Sequence, residues 1–222
     1  MEKEKILPIQ GIFFKDFANA HIPEQLKEMY LDKIYDYFLK GKKEQVVLDI
    51  GSNCGLFSFY AYRYSKVIYA LEPSAVHFET LNFMLNFNQM NDKVVPIQKA
   101  LALENGRAVL GHNDNITTFS LHTAVRQPGL ETEDVETIRL DTLLDEIKED
   151  RIDFMKMDIE GVEAEIIGSA SFEKACKKIQ AIVIELHEWN GFNPKQLFNT
   201  LADYGYKVRQ IPSEAMIIGA ER

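Results

Sequence analysis

The stretch VVLDIGSNCG at residues 46–55 decides the fold. Its first five residues form a short, mostly β-branched apolar run, which is typical of a strand buried on both faces. A turn with glycines at positions 51 and 55 follows, and a helical pattern begins at Leu56. A buried strand that leads through a glycine-containing turn into a helix predicts the first unit of a parallel α/β sheet.

Apolar runs and helical stretches continue to alternate along the chain. Ser74 is placed to cap a helix that extends to about Asn88, and Asn193-Pro194 predicts the start of another helix. The runs that predict further strands lie at 67–71, 94–101, 152–157, 181–186, 206–211 and 215–218. The last two flank a short turn and indicate a closing antiparallel hairpin. The predicted fold class is therefore a doubly wound α/β domain with a mainly parallel sheet.

Two parts of the chain fall outside this alternation. The segment 1–44 is helical in pattern, because apolar residues between Leu26 and Phe38 recur at helical spacing, and it predicts a helical cover on a main domain at 45–222. Within that domain, residues 102–140 carry short strand-like runs and predict a β-rich insertion. The 222 residues, 46% hydrophobic and 27% charged, form an ordinary globular mixture that fits one such domain.

Composition limits the partners. The chain has 25 Lys and Arg against 34 Asp and Glu, a net charge of −9, so attraction to nucleic-acid phosphates or anionic lipids is not expected. Cys54 and Cys176 form no CxxC pair, which favours a reducing, cytoplasmic setting over a disulfide framework or a zinc site. No run approaches the roughly 18 apolar residues of a membrane span, and none is predicted.

The glycine spacing disfavours common phosphate-binding motifs. A dinucleotide fingerprint needs glycines where this chain has Asn53 and Leu56, and no GxxxxGK[ST] loop is present. Asp49 stands two residues before the first glycine, where a carboxylate disfavours a pyrophosphate and favours a cofactor with an amino group and a sulfonium. Glu72 ends the second predicted strand and can accept hydrogen bonds from ribose hydroxyls. Together these features predict S-adenosylmethionine as the cofactor.

Several motifs carry a resemblance to a known family. They are residues 49–55, 72–74 and, most specifically, KMDIEGVE at 156–163, with GSA at 168–170 and IELH at 184–187 in agreement. Between about residues 45 and 190 the chain resembles the FkbM-type methyltransferases, which have the class I S-adenosylmethionine-dependent fold. The N-terminal segment lies outside the resemblance.

The resemblance implies a seven-stranded, Rossmann-like sheet whose antiparallel strand comes from the terminal hairpin. It also implies that Asp49 lies near the methionine moiety, that the glycines let the backbone approach it, and that Glu72 holds the ribose. Ala100 and Leu101 would flank the adenine. The residues expected to bind the cofactor are Asp49, Gly51, Asn53, Gly55, Glu72, Pro73, Ala100, Leu101 and Asp158.

Catalytic candidates follow the fourth and fifth strands of the main sheet. At strand periodicity Lys156, Asp158 and Glu160 point to one side and form a polar row at the sheet edge, where burial can raise the pKa of a carboxyl and suit it to proton transfer. His187 has the intrinsic pKa of a general base. Structural roles stay open for both Glu160 and His187. A divalent metal held by these acids, Glu185 and His187 is conceivable on ligand type, but no metal site is predicted.

The leading hypothesis is an S-adenosylmethionine-dependent methyltransferase that acts on a small-molecule, sugar or lipid-like acceptor, at oxygen because of the family resemblance. Methylation of RNA or protein by the same fold, and a cofactor-binding module without catalysis, are the alternatives. The acidic net charge argues against RNA. The acceptor pocket is expected to come from residues 1–45, 102–140 and the region after His187, with Trp189 as a candidate wall.

Overall fold

A computed structural model describes residues 5–9, 12–16, 27–112, 119–120, 132–187, 193–213 and 215–222. Within these residues the strands form three sheets. In chain order their strands are β1 (Lys5–Ile9), β2 (Ile12–Asp16), β3 (Gln45–Ile50), β4 (Ser65–Leu71), β5 (Val94–Ile97), β6 (Ala100–Leu101), β7 (Gly106–His112), β8 (Phe119–Ser120), β9 (Thr132–Ile138), β10 (Phe154–Met157), β11 (Ala181–Leu186), β12 (Lys207–Ile211) and β13 (Met216–Glu221).

Short helices connect the strands. They are α1 (Asp36–Leu39), α2 (Leu56–Ala61), α3 (Ala75–Phe87), α4 (Leu140–Ile147), α5 (Glu163–Ile167), α6 (Ala170–Ala175) and α7 (Pro194–Asp203), with a π-helical turn at Lys27–Asp32 and 3₁₀ turns at Tyr62–Tyr64 and Cys176–Lys178. Throughout the ranges given above, no helix has the length and apolar character needed to cross a membrane.

The largest sheet has seven strands in the order β12-β13-β11-β10-β3-β4-β5. Strands β11, β10, β3, β4 and β5 run parallel, and β13 is antiparallel to both of its neighbours. The predicted doubly wound sheet, closed by an antiparallel hairpin, is therefore confirmed. From β3 the chain continues outward to β4, while β10 lies on its other side. The carboxyl ends of β3 and β10 consequently flank the crevice where open α/β sheets bind ligands.

Helices cover both faces of this sheet, which explains why its strands are apolar without alternation. Every residue of β3 is buried. Val47 and Phe154 face a core that includes α1, α2 and α3, whereas their neighbours Leu48 and Met155 face a second core that includes α4 to α7. The central strands are thus fixed from both sides, and the polar groups at their carboxyl ends stand on a rigid base.

The insertion forms a small separate sheet in the order β6-β9-β7-β8. The single strand predicted at 94–101 is in fact two strands. The chain leaves the large sheet after Ile97, the end of β5. Ala100 and Leu101, which form β6, pair instead with Thr137 and Ile138 of β9. Helix α4 was not predicted, because Arg139 stands at its N-cap position and makes no side-chain capping bond, so the usual polar start signal is missing.

The N-terminal segment differs from the predicted helical cover of residues 1–44. Strands β1 and β2 form an antiparallel hairpin in which Ile9 lies opposite Ile12. In the described part of this segment, helical structure is confined to Lys27–Asp32 and α1. The helical spacing of apolar residues lies only between 26 and 38, and it does not extend to the residues that pair across the hairpin. The helical prediction was therefore wrong for residues 5–9 and 12–16.

Close packing requires glycine at position 51. Gly51 has φ +75°, and a Cβ there would lie 1.8 Å from the backbone carbonyl oxygen of Asp158. We expect Gly51→Ala to lower the free energy of unfolding by more than the about 1–2 kcal/mol that a left-handed backbone alone costs. Gly205 has φ +87° with nothing within 4 Å of such a Cβ, so Gly205→Ala should show only the backbone cost. Urea denaturation measures both, and equal losses would contradict the steric explanation.

Candidate active site

A cleft with about 960 Å³ of empty space, open to solvent, lies at the carboxyl ends of β3, β4 and β10. It is the place that the strand order predicts for a ligand. The sequence-predicted site residues that line it are Gly51, Asn53, Glu72, Pro73, Ala100, Leu101, Asp158 and Glu160. Residues far apart in the chain, from two different sheets, are thus brought to one cavity.

Three predicted site residues do not line this cleft. Asp49 is completely buried, and its Oδ2 accepts a hydrogen bond of 2.6 Å from the hydroxyl of Ser58. Gly55 is enclosed by packing, because a Cβ there would lie 2.6 Å from Leu81. His187 lies beside the cleft and contacts the acids at its edge.

Glu72 is a buried carboxyl in the wall of the cleft. Its two oxygens accept backbone hydrogen bonds from Asn53, at 2.8 Å, and from Ser74, at 2.9 Å. Each carboxylate oxygen has a second lone pair, so these bonds leave further accepting capacity. Burial raises the pKa of Glu72 to about 7, although the two backbone bonds act in the opposite direction. The side chain is therefore fixed in place and poised between its charged and neutral forms near neutral pH.

Lys156 ties two strand ends together beneath the cleft. Its side chain is buried, and Nζ donates to the carbonyl of Gly51 at 3.0 Å and to Oδ2 of Asp158 at 2.9 Å. Burial alone would lower the pKa of Lys156, but the charges of Asp158 and Asp49 outweigh it and raise that pKa. The ammonium group therefore stays charged and joins the end of β3 to the end of β10.

Glu163 organises the loop that follows β10. Its carboxylate is buried and accepts hydrogen bonds from the backbone N–H groups of Ile159 and Gly161, each at 3.1 Å. In this loop, Glu160 has the left-handed φ of +59° and Gly161 has a φ of +117°. A non-glycine residue in this conformation is strained, and it persists where its surroundings hold it. Glu163 supplies part of that support, so its role exceeds the first-turn position that the sequence shows.

His187 brings the carboxylates together. Its Nδ1 lies 3.0 Å from Oε1 of Glu163, and since a carboxylate only accepts, Nδ1 carries the hydrogen in this bond. Its Nε2 lies 3.3 Å from Oε2 of Glu160 and 3.9 Å from Oδ1 of Asp158. Burial would lower the pKa of His187, but the bond from Glu163 and the charges of Glu160 and Asp158 raise it to about 9.

Glu160 has the opposite balance. Burial raises its pKa to about 7, against the lowering effect of His187. The predicted polar row is therefore observed for Lys156 and Asp158, whereas Glu160 reaches the same place through a turned backbone and not through strand alternation. Glu160, with a pKa of about 7, lies at the edge of a cleft and is a group that can exchange protons there.

Sequence reasoning did not identify several residues of the cleft wall, among them Tyr35, Phe57 and His77. Tyr35 is fully enclosed, and its ring packs edge-on against Phe57 at 4.7 Å between centroids. No motif marks an aromatic residue in a helical stretch as a cleft wall rather than as core. Trp189, the predicted pocket wall, lies outside the described residues.

The seven-stranded sheet, covered on both faces and closed by an antiparallel hairpin, is the class I methyltransferase fold. Solved structures agree. The methyltransferase FkbM of Methylobacillus flagellatus KT superposes with a TM-score of 0.55 at 15% identity, over 84% of this chain and 45% of that one. SMU.1697c of Streptococcus mutans, solved in complex with SAH, gives 0.54 at 10% identity over 86% and 96%. TYW2 of M. jannaschii, solved with AdoMet, gives 0.52 at 14% identity over 100% and 86%.

The family is defined by sequence. The model of the methyltransferase FkbM domain matches residues 49–208, and the chain belongs to this family. Methyltransferase sdnD of Sordaria araneosa is 29% identical over 219 residues, which cover 85% of this chain and 83% of that relative. The chain is therefore an enzyme, a methyltransferase. The resemblance described from the KMDIEGVE block and the glycine turn is confirmed.

The contact between Glu163 and His187 has a measurable consequence. In Glu163→Gln the amide oxygen can still accept a backbone hydrogen bond, but the charge that favours the imidazolium is gone. We expect the pKa of His187 to fall from about 9 by at least one unit. Imidazole resonances followed by NMR across pH 5–10 measure this, with His187→Gln to assign the signal. Glu165→Gln, an exposed acid two residues further on, should leave the titration unchanged. An unshifted His187 titration in Glu163→Gln would contradict the assigned contact.

Proposed function

We propose that the chain is an S-adenosylmethionine-dependent O-methyltransferase that acts on a small-molecule, sugar or lipid-like acceptor. The observation that carries the cofactor assignment is the buried carboxyl of Glu72 in the cleft wall, directly beside the glycine turn at residue 51. Both oxygens of this carboxyl retain accepting capacity, which suits the two hydroxyls of a ribose. Two structures of similar fold were solved with the cofactor or its product, which supports the same ligand class here.

Within this proposal the cleft divides into parts. Gly51 and Asn53 would border the amino acid moiety of the cofactor. Glu72 and Pro73 would border the ribose, and residues 100 and 101 the adenine. Asp49 acts from beneath the cleft floor. Its Oδ1 is buried and has no hydrogen-bond partner among the described residues, so a cationic amino group above the turn would relieve an unfavourable buried charge.

The acceptor would enter beside Asp158, Glu160 and His187. In the transfer, an acceptor oxygen forms a bond to the methyl carbon while the sulfur–methyl bond breaks, and its electron pair returns the sulfur to a neutral thioether. The hydroxyl proton leaves to the carboxylate of Glu160, because His187, with a pKa of about 9, already carries its proton near neutral pH. Alignment of the two reactants supplies much of the rate, because an intramolecular arrangement lowers the barrier by several kcal/mol. The cluster contributes the proton acceptor.

Residues 45–222 would form the methyltransferase domain and the segment before them a cover, of which Phe38 packs against the sheet next to Gly219. A cytoplasmic location is inferred from cysteine usage, and both thiols are free and buried. Structures of similar fold include an rRNA methylase from Streptococcus thermophilus, but the net charge of −9 disfavours an RNA acceptor.

Calorimetry with S-adenosylhomocysteine tests the cofactor assignment. The ionised carboxyl of Glu72 accepts hydrogen bonds better than the protonated one, so affinity should rise as the pH increases through about 7. Glu72→Gln should weaken binding by about 10- to 100-fold, the value of hydrogen bonds to a charged group, and should remove this pH dependence. Glu79→Gln is the matched control, because Glu79 is an exposed acid in the helix that follows Glu72, and its affinity for S-adenosylhomocysteine should equal that of the wild type.

Absence of S-adenosylhomocysteine binding to the folded wild-type chain would overturn the proposed function. Full affinity in Glu72→Gln, with the same pH profile as the wild type, would overturn the role assigned to Glu72 alone. Binding without turnover against hydroxyl acceptors of the three proposed classes would favour the alternative of a non-catalytic module.

A further inference from the structure

One group of side chains at the edge of the cleft has donor atoms that converge. Asp158, Glu160 and His187 each offer one ligand atom, and these atoms lie within 4.8 Å of one another. The carboxylates come from the loop after β10, and the imidazole comes from the end of β11. Glu185, which the sequence placed with them, is not a member of this group. The three residues are half-buried, so the space between them is open to the cleft.

The spacing of the donor atoms fits one ion. Two ligands bound to an octahedral divalent cation at about 2.1 Å lie about 3.0 Å apart when adjacent and about 4.2 Å apart when opposite. Nε2 of His187 lies 3.3 Å from Oε2 of Glu160 and 3.9 Å from Oδ1 of Asp158, between these two values. Small side-chain movements would bring all three atoms to bonding distance.

The surroundings orient each ligand from behind. Glu163 accepts the hydrogen on Nδ1 of His187, which turns Nε2 toward the carboxylates. A buried carboxylate behind a histidine is the common outer-shell partner of a metal-ligating imidazole, and Glu163 is itself not a member of the donor group. Lys156 binds Oδ2 of Asp158, so Oδ1 is the oxygen directed at the other donors.

The conformation of Glu160 is the second independent feature. Its left-handed φ of +59° is a cost that the fold maintains, and it directs the carboxylate back toward His187. A residue held in a sparsely populated conformation at the edge of a cleft indicates a functional constraint.

We propose that Oδ1 of Asp158, a carboxylate oxygen of Glu160 and Nε2 of His187 bind a divalent cation of the Mn²⁺ or Mg²⁺ class, which displaces the hydrogen from Nε2. The two carboxylate ligands suit Mg²⁺ and Mn²⁺. The site supplies three of six ligands, so water or acceptor oxygens would take the others. On the proposed function, this cation would polarise the acceptor hydroxyl, and the carboxylate oxygen of Glu160 that is not a ligand would take the proton. The cation would favour acceptors with two neighbouring oxygens, such as vicinal diols or hydroxy acids. The binding of the cation itself does not depend on that function.

Electron paramagnetic resonance of Mn²⁺ tests the site without an activity assay. Protein that binds the ion removes it from the free six-line signal, so titration gives stoichiometry and affinity. We expect one Mn²⁺ per chain in the wild type, with binding weakened at least tenfold in Glu160→Gln and in His187→Gln. Competition by Mg²⁺ should restore the free signal. Glu165→Gln, with the same loss of charge on an exposed neighbouring position, should bind as the wild type does.

Circular dichroism and the affinity for S-adenosylhomocysteine show whether each variant is folded. No Mn²⁺ binding up to about 1 mM by wild-type protein that binds S-adenosylhomocysteine would overturn the cation site and leave the proposed function intact. Mn²⁺ binding that persists unchanged in both ligand variants would also overturn it, because the ion would then bind elsewhere. Mn²⁺ binding without S-adenosylhomocysteine binding would instead contradict the proposed function.

Discussion

The buried ammonium of Lys156 is the interaction on which the site depends. It belongs to β10, which pairs with β3 beside the crevice, and it bonds to Gly51 after β3 and to Asp158 after β10. It also offsets the buried charge of Asp49, whose pKa is raised by burial and lowered by this neighbour. Burial of one charge is costly, and it becomes tolerable when partners surround it. Lys156 therefore links the turn after β3 to the loop after β10, and with them two parts of the cleft lining.

Burial and neighbouring charges also determine the pKa values of the other polar groups around the cleft. Burial raises the pKa values of Glu72 and Glu160 to about 7, while the acids that face His187 raise its pKa to about 9. Glu163 joins the strained loop to the imidazole, and so connects the end of β10 to the end of β11. The acidic surplus of the chain is thus concentrated in part where a cationic cofactor, and a cation beside it, would lower the electrostatic cost.

Local sequence signals predicted the elements that carry the large sheet. The apolar run at 46–50, the glycine turn and the KMDIEGVE block mark the ends of β3 and β10, because strand burial and turn chemistry are local properties. Where tertiary pairing decides the structure, the sequence was less informative. The departure of β6 from the large sheet depends on its pairing with β9, and the β1–β2 hairpin depends on cross-strand contacts that helical periodicity does not report.

The site shows the same division. Glu72, Asp158 and Glu160 could be placed from the ends of strands, but the contact of Glu163 with His187 joins positions on different elements and leaves no local signal.

The hydrogen bonds of Lys156 hold the floor of the cleft together, and the free energy of unfolding of Lys156→Met tests this claim most directly. Removal of one partner from a buried ion pair costs about 3–5 kcal/mol, and a loss of that size by urea denaturation is the expected result. A stability equal to that of the wild type would contradict the account.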